Sequence, residues 1–94
     1  MPARSGDPTG GSRFTLIWEP AAVAGLIRVR EADPATAKDV RSAVQSLAHR
    51  PEPDASSPLG TPVLRRMRIG SARVLYKVDT VNAVVQILVV GQTH

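Results

Sequence analysis

The chain has 94 residues, a formal charge of +4, two histidines and no cysteine. That length makes one domain with a modest core, and the missing cysteines exclude a disulfide frame, a thiolate nucleophile and a zinc ribbon. The longest apolar run, Ala83 to Val90, is too short to span a bilayer, and no signal-peptide core is present, so a cytoplasmic protein without a membrane partner is expected. The positive charge favours an anionic partner.

Residues 1–12, MPARSGDPTGGS, lack apolar periodicity and read as a disordered leader; residues 13–94 form the domain. Arg13 to Trp18 is rich in strand formers. Glu19-Pro20 marks a helix start, because proline is preorganised for the first helical position. Val23, Leu26, Ile27 and Arg30 then recur at helical spacing. Gly25 weakens this helix by about 1 kcal/mol relative to alanine, or permits a close crossing. Asp33-Pro34 caps and opens a second helix running to Arg50. Its stripe is Ala37, Val40, Arg41, Val44, Leu47 and Ala48. The two helices make a hairpin.

Pro51 to Pro62 holds four of the eight prolines and reads as a long loop that excludes helix and central strand. Leu64 to Lys77 reads as two strands around a tight turn at Gly70-Ser71. It carries five of the twelve basic residues, Arg65, Arg66, Arg68, Arg73 and Lys77, and Ala55 to Val78 contains no acid. Strand alternation puts Arg66 and Arg68 on one face, with Met67 and Ile69 on the other. In the second strand Arg73, Leu75 and Lys77 share a face, as do Val74, Tyr76 and Val78. Asp79 to Asn82 suits a turn. Ala83 to Val90 is apolar on both faces, which predicts a central, doubly covered strand. The fold class is α+β, in two layers: a strand, a helical hairpin on one sheet face, and a three-stranded antiparallel meander.

No phosphate-binding glycine loop, nucleophile elbow, zinc-protease motif or carboxylate pair is present, and neither metal nor cofactor is expected. What remains is a cationic strand face suited to phosphate. A charged face also serves solubility and deters edge pairing, and a GC-rich genome also favours arginine. Tyr76, between Val74 and Val78, reads as core, and His49 as a surface or capping residue.

The element order resembles the RelE/ParE superfamily of bacterial type II toxins. So do Leu59-Gly60, Arg66-Met67-Arg68-Ile69-Gly70, Arg73-Val74-Leu75-Tyr76 and Val89-Val90-Gly91. The resemblance implies a small toxin held inactive by a cognate antitoxin in a hetero-oligomer. RelE-like members cut mRNA on the ribosome without metal, the RNA's own 2′-hydroxyl attacking the neighbouring phosphate. Carried over by position, it implies that Arg66, Arg68 and Arg73 grip RNA and stabilise the pentavalent phosphate; Arg65 and Lys77, basic residues of the same hairpin, are further candidate RNA contacts. Family nucleases also carry an arginine just after the last Val-Gly and often a tyrosine beyond it. Thr93 stands at that arginine position, no tail tyrosine follows, and His94 is the candidate replacement acid or base. ParE-like members instead inhibit DNA gyrase by binding, and a third alternative is an inactive toxin fold that only binds an antitoxin.

Overall fold

A computed structural model describes residues 13–93; the expected leader and the candidate His94 lie outside them. Seven elements follow in order: β1 (Thr15–Trp18), α1 (Pro20–Ala32), α2 (Pro34–Ser46), β2 (Ser56–Leu59), β3 (Thr61–Ile69), β4 (Ala72–Asp79) and β5 (Val84–Gln92). The strands form one sheet in the order β1-β5-β4-β3-β2, and the helices pack on one of its faces. The antiparallel meander β3-β4-β5 is as expected. β1 lies parallel to β5, with Thr15 opposite Val84 and Trp18 opposite Ile87, so the sheet is mixed rather than purely antiparallel. Among the described residues no helix is long and apolar enough to cross a membrane.

Pro20 opens α1, and the residue before it, Glu19, is extended, as a residue preceding proline must be. The face of α1 against the sheet is Ala22, Gly25 and Val29. A Cβ on Gly25 would collide with the carbonyl oxygen of Val90, so this glycine is what allows α1 to cross β5 closely. Of the stripe at Val23, Leu26, Ile27 and Arg30, only Leu26 packs against the core. Val23 and Ile27 are 42% and 41% exposed, because the smallest side chains turn inward to bring the helix onto the strand.

Asp33 caps α2, its carboxylate accepting from the Thr36 amide at 3.2 Å and the Thr36 hydroxyl at 2.7 Å. The helix ends at Ser46, earlier than the expected Arg50, and continues as turns. Ala37, Val40, Val44, Leu47 and Ala48 are buried, while Arg41 is exposed.

The proline-rich loop holds a strand that its composition hid. β2 pairs with β3, with Ser56 opposite Met67 and Ser57 opposite Arg66. It lies at the sheet's edge, where Pro58 costs no ladder bond, and Gly60 at φ +83° turns it into β3. Gly70, at φ +59°, occupies the first position of the two-residue turn between β3 and β4, where a type II′ hairpin wants glycine. At the next turn Asp79 accepts from the amide and side chain of Asn82 at 3.0 and 2.9 Å.

Met67, Val74, Tyr76, Val78, Val85, Ile87 and Val90 carry the sheet's side of the core. β5 is central, between β1 and β4, but not covered on both faces as its apolar run suggested. Two layers give the sheet only one helical cover, and Val89 on the other face is 44% exposed.

Candidate functional site

The uncovered sheet face is organised in rows by the strand register. Arg68 on β3 stands opposite Arg73 on β4, and Arg73 opposite Gly91 on β5. One pleat along, Arg66 stands opposite Leu75, and Leu75 opposite Val89. Leu64, Lys77 and Gln86 make the next row. Arg66, Arg68, Arg73 and Lys77 are all exposed. Leu59, Arg66, Arg73, Leu75, Val89 and Gly91 together line a shallow groove of about 290 Å³.

Strand alternation sets most of this geometry, but the β5 side depends on a bulge. Leu75 pairs with Val89 and Tyr76 with Ile87, which leaves Leu88 as the extra residue. A bulge of this kind moves the following residues to the other face. Val90 therefore goes into the core at 2% exposure while Val89 faces the groove. Strict alternation from Val85 and Ile87 would place them the other way round.

The groove has one sign of charge, whereas further along β4 Asp79 shares the open face with Lys77. None of the residues lining the groove is acidic, and among the described residues none bonds the guanidinium groups of Arg66, Arg68 or Arg73. The Arg68–Arg73 pair is directly cross-strand, where like charges are destabilising. Two exposed cations held together without a counter-charge suit an anion bound between strands, since a guanidinium presents a fixed fork of donors to phosphate.

Arg65 is brought elsewhere. It faces the helix side, opposite Tyr76, where its Nε donates to the Ser56 hydroxyl at 3.1 Å and its Nη2 to the Ser56 carbonyl at 3.4 Å. It ties the edge strand to the sheet. Lys77 shares the groove's face but lies beyond its lining, beside Gln86. Tyr76 is fully buried, and its hydroxyl donates to the Pro51 carbonyl at 2.8 Å, so it is core with a satisfied polar end. His49 is exposed just after α2.

The end of the chain is fastened beside the arginine row. The Thr93 amide and hydroxyl both donate to the Ser71 carbonyl, at 2.8 and 3.0 Å. The Gln92 side chain donates to the Ser71 hydroxyl at 2.9 Å and to Asp33 at 3.5 Å. Hydrogen bonds from Thr36, and a weaker one from Gln92, hold the Asp33 carboxyl below its ordinary value. This fastening joins the β3–β4 turn, the last strand and the helical junction.

The aliphatic side of the groove was not read as functional from the sequence. Leu75 was placed on the right face by alternation, Leu59 and Gly91 stood in the motif without a role, and Val89 was concealed by the bulge.

Comparison with solved structures finds this architecture repeatedly. A chain of the RelBE2 toxin–antitoxin complex from Mycobacterium tuberculosis superimposes with a TM-score of 0.72 at 24% identity, covering 87% of this chain and 93% of that one. The archaeal RelE–RelB complex from Pyrococcus horikoshii OT3 gives 0.73 at 23%, covering 85% and 94%. The chromosomal ParDE system from P. aeruginosa gives 0.69 at 18%, covering 87% and 98%. At these identities the likeness establishes the fold. No curated protein matches the chain in sequence. A family profile described as the ParE toxin of the type II toxin–antitoxin system parDE matches residues 16–94, and the chain accordingly belongs to this toxin family, within the RelE/ParE superfamily.

Proposed function

We propose that this toxin acts on mRNA held against its arginine face on the ribosome, and that it cleaves by attack of the RNA's own 2′-hydroxyl on the neighbouring phosphate. The observation that carries the reading is the contiguous set Arg66, Arg68 and Arg73 along an acid-free groove of the open sheet face. In this chemistry the 2′-oxygen bonds to phosphorus as its proton passes to solvent, the 5′-oxygen leaves and takes up a proton from solvent to become a 5′-hydroxyl, and a 2′,3′-cyclic phosphate remains. The arginines stabilise the charge that builds on the phosphoryl oxygens, and a single such donor is worth about 10²- to 10³-fold in rate.

A second reading has its own observation. The groove and the arginine row beside it contain no histidine or carboxylate among the described residues: they offer arginines and aliphatic side chains. A ParE-like toxin that inhibits DNA gyrase by occupancy needs a binding face and no proton transfer. Primer extension on a translated message, with and without ribosomes, separates the two. Ribosome-dependent new 5′ ends that vanish with Arg73→Ala support the interferase. Their absence with folded protein, together with inhibited gyrase supercoiling, supports the second. Silence in both assays leaves a toxin fold that only binds.

In either case the partner is an antitoxin, as in the RelBE2 toxin–antitoxin complex, and the complex works in the cytoplasm. Two surfaces suit it: the arginine face, and a groove of about 120 Å³ between the helices lined by Trp18, Val23, Leu26 and Ile27 with Arg30 and Arg41 at its rim. A partner segment with acidic and apolar residues fits both, folding as it binds. Affinity for a segment on the arginine face falls with salt and with Arg66→Ala plus Arg68→Ala. A complex indifferent to both is docked elsewhere.

A further inference from the structure

The groove on the arginine face is two-sided. Arg66 and Arg73 supply charge, while Leu59, Leu75 and Val89 supply an aliphatic shelf, and Gly91 leaves open space beside Arg73. The Arg68–Arg73 row and the Leu75–Val89 row are one pleat apart, about 7 Å along the strands. A volume of about 290 Å³ is at the small end of ligand sites, which start near ~300 Å³. It suits one nucleotide rather than several.

The kinds of side chain present limit how a base is read there. Asparagine, glutamine and acidic side chains recognise the edges of adenine and cytosine, and none lines the groove; arginine reads guanine, but Arg66 and Arg73 are engaged by the phosphate when a nucleotide is seated there. The face has no aromatic platform either: Phe14 and Trp18 pack against the core on the helix side and Tyr76 is buried in it. Aliphatic contact with the flat of a base, next to a held phosphate, is what this lining offers.

We infer that the groove seats one nucleotide of single-stranded RNA, with phosphate on Arg66 and Arg73 and the face of the base on Leu75 and Val89, and that it selects purine over pyrimidine by apolar contact area instead of reading base edges. This rests on the RNA reading above. Because discrimination comes from area alone, adenine and guanine are treated alike, and the preference over pyrimidines is small.

Val89 gives the test, since it is 44% exposed and accepts other strand-forming side chains. Fluorescence anisotropy at low salt compares 12-mers of A, alternating GA, U and C against the full chain. The expected order is A equal to GA within about twofold, and both about threefold to fivefold tighter than U or C. Val89→Trp strengthens binding of every oligomer by at least about fivefold, the value of one base–aromatic stack. Val89→Ser brings purine and pyrimidine affinities together and leaves the salt dependence unchanged. Circular dichroism melts confirm that both variants are folded. Equal purine and pyrimidine binding by the unmutated protein, with no effect of either Val89 variant, removes the shelf from the site. A preference above about tenfold for a single base also overturns the inference, because contact area alone does not produce it. If no oligomer binds at low salt, this inference fails, while primer extension with and without ribosomes separately decides the RNA reading on which it rests.

Discussion

If Arg68 and Arg73 are held together for an anion, removing either one stabilises the free protein. Their side chains start from directly opposed cross-strand positions, about 5 Å apart at Cβ. Two unit charges kept at that spacing would repel by about 0.8 kcal/mol in water, an upper limit because the guanidiniums lie further out and can splay. Screening leaves at most about 0.5 kcal/mol at 0.1 M salt and under about 0.2 kcal/mol at 1 M. Arg68→Gln, Arg73→Gln and the double variant close a thermodynamic cycle, read by urea unfolding at low and high salt. The expected coupling is unfavourable, at most about 0.5 kcal/mol at 0.1 M, and fades at 1 M. On an ~80-residue domain that is a rise of at most about 2–4 °C in Tm for each single variant. Binding of the anionic target moves the opposite way and weakens in each. A coupling of zero or of favourable sign at low salt would refute the reasoning, because it means that the two guanidiniums are separated or neutralised by some other group.

Three further outcomes follow from the same geometry. Gly25→Ala drives a methyl group into the Val90 carbonyl and costs about 1–3 kcal/mol as overpacking; an unchanged urea midpoint would mean that α1 can lift off β5 freely. Tyr76→Phe removes the donor to Pro51 and costs about 0.5–1.5 kcal/mol of stability, without changing cleavage or binding per folded molecule; a specific loss of activity would restore the tyrosine to the mechanism. The carboxyls of Asp33 and Asp79 are both held below 3.8, chiefly by Thr36 and Asn82 respectively. Their contribution to stability is therefore full above that value and lost as pH falls through the lower, folded one. Carbon-detected NMR titration should give both midpoints below 3.8, and Asn82→Ala should return that of Asp79 towards it.

Much of this fold was legible because local signals agreed with the global arrangement. Asp33-Pro34 fixed where α2 begins, Gly70-Ser71 fixed the hairpin, and Asp79 with Asn82 fixed the last turn. What was hidden depends on partners distant in sequence. Nothing local to Thr15–Trp18 says that the strand will run parallel to Val84–Ile87. Proline density concealed β2, since a strand tolerates Pro58 only at an edge, and edge position is a property of the whole sheet. In α1 helical spacing picks out Val23, Leu26, Ile27 and Arg30, of which only Leu26 packs against the core. Ala22, Gly25 and Val29 take the buried face because they let the helix approach β5, and closeness of approach is not visible in hydrophobicity.

The site divides along the same line. Its charges were readable, because alternation alone assigns Arg66, Arg68, Arg73 and Lys77 to one face, and it assigns Arg65 to the other. Its aliphatic half was not, because one extra residue at Leu88 exchanges the roles of Val89 and Val90. The bulge also bears on whether the arginines serve solubility or binding. A face kept only for solubility is well served by mixed charges. At its groove this one sets two arginines opposite each other without an acidic neighbour in the lining, and the bulge then turns a valine outward beside them. Each feature is unfavourable for the isolated domain, one through repulsion and the other through exposed apolar surface. Both become favourable when a ligand carrying phosphate and a flat apolar surface fills the groove. Their coincidence on one patch favours binding over solubility more strongly than the net charge of the chain.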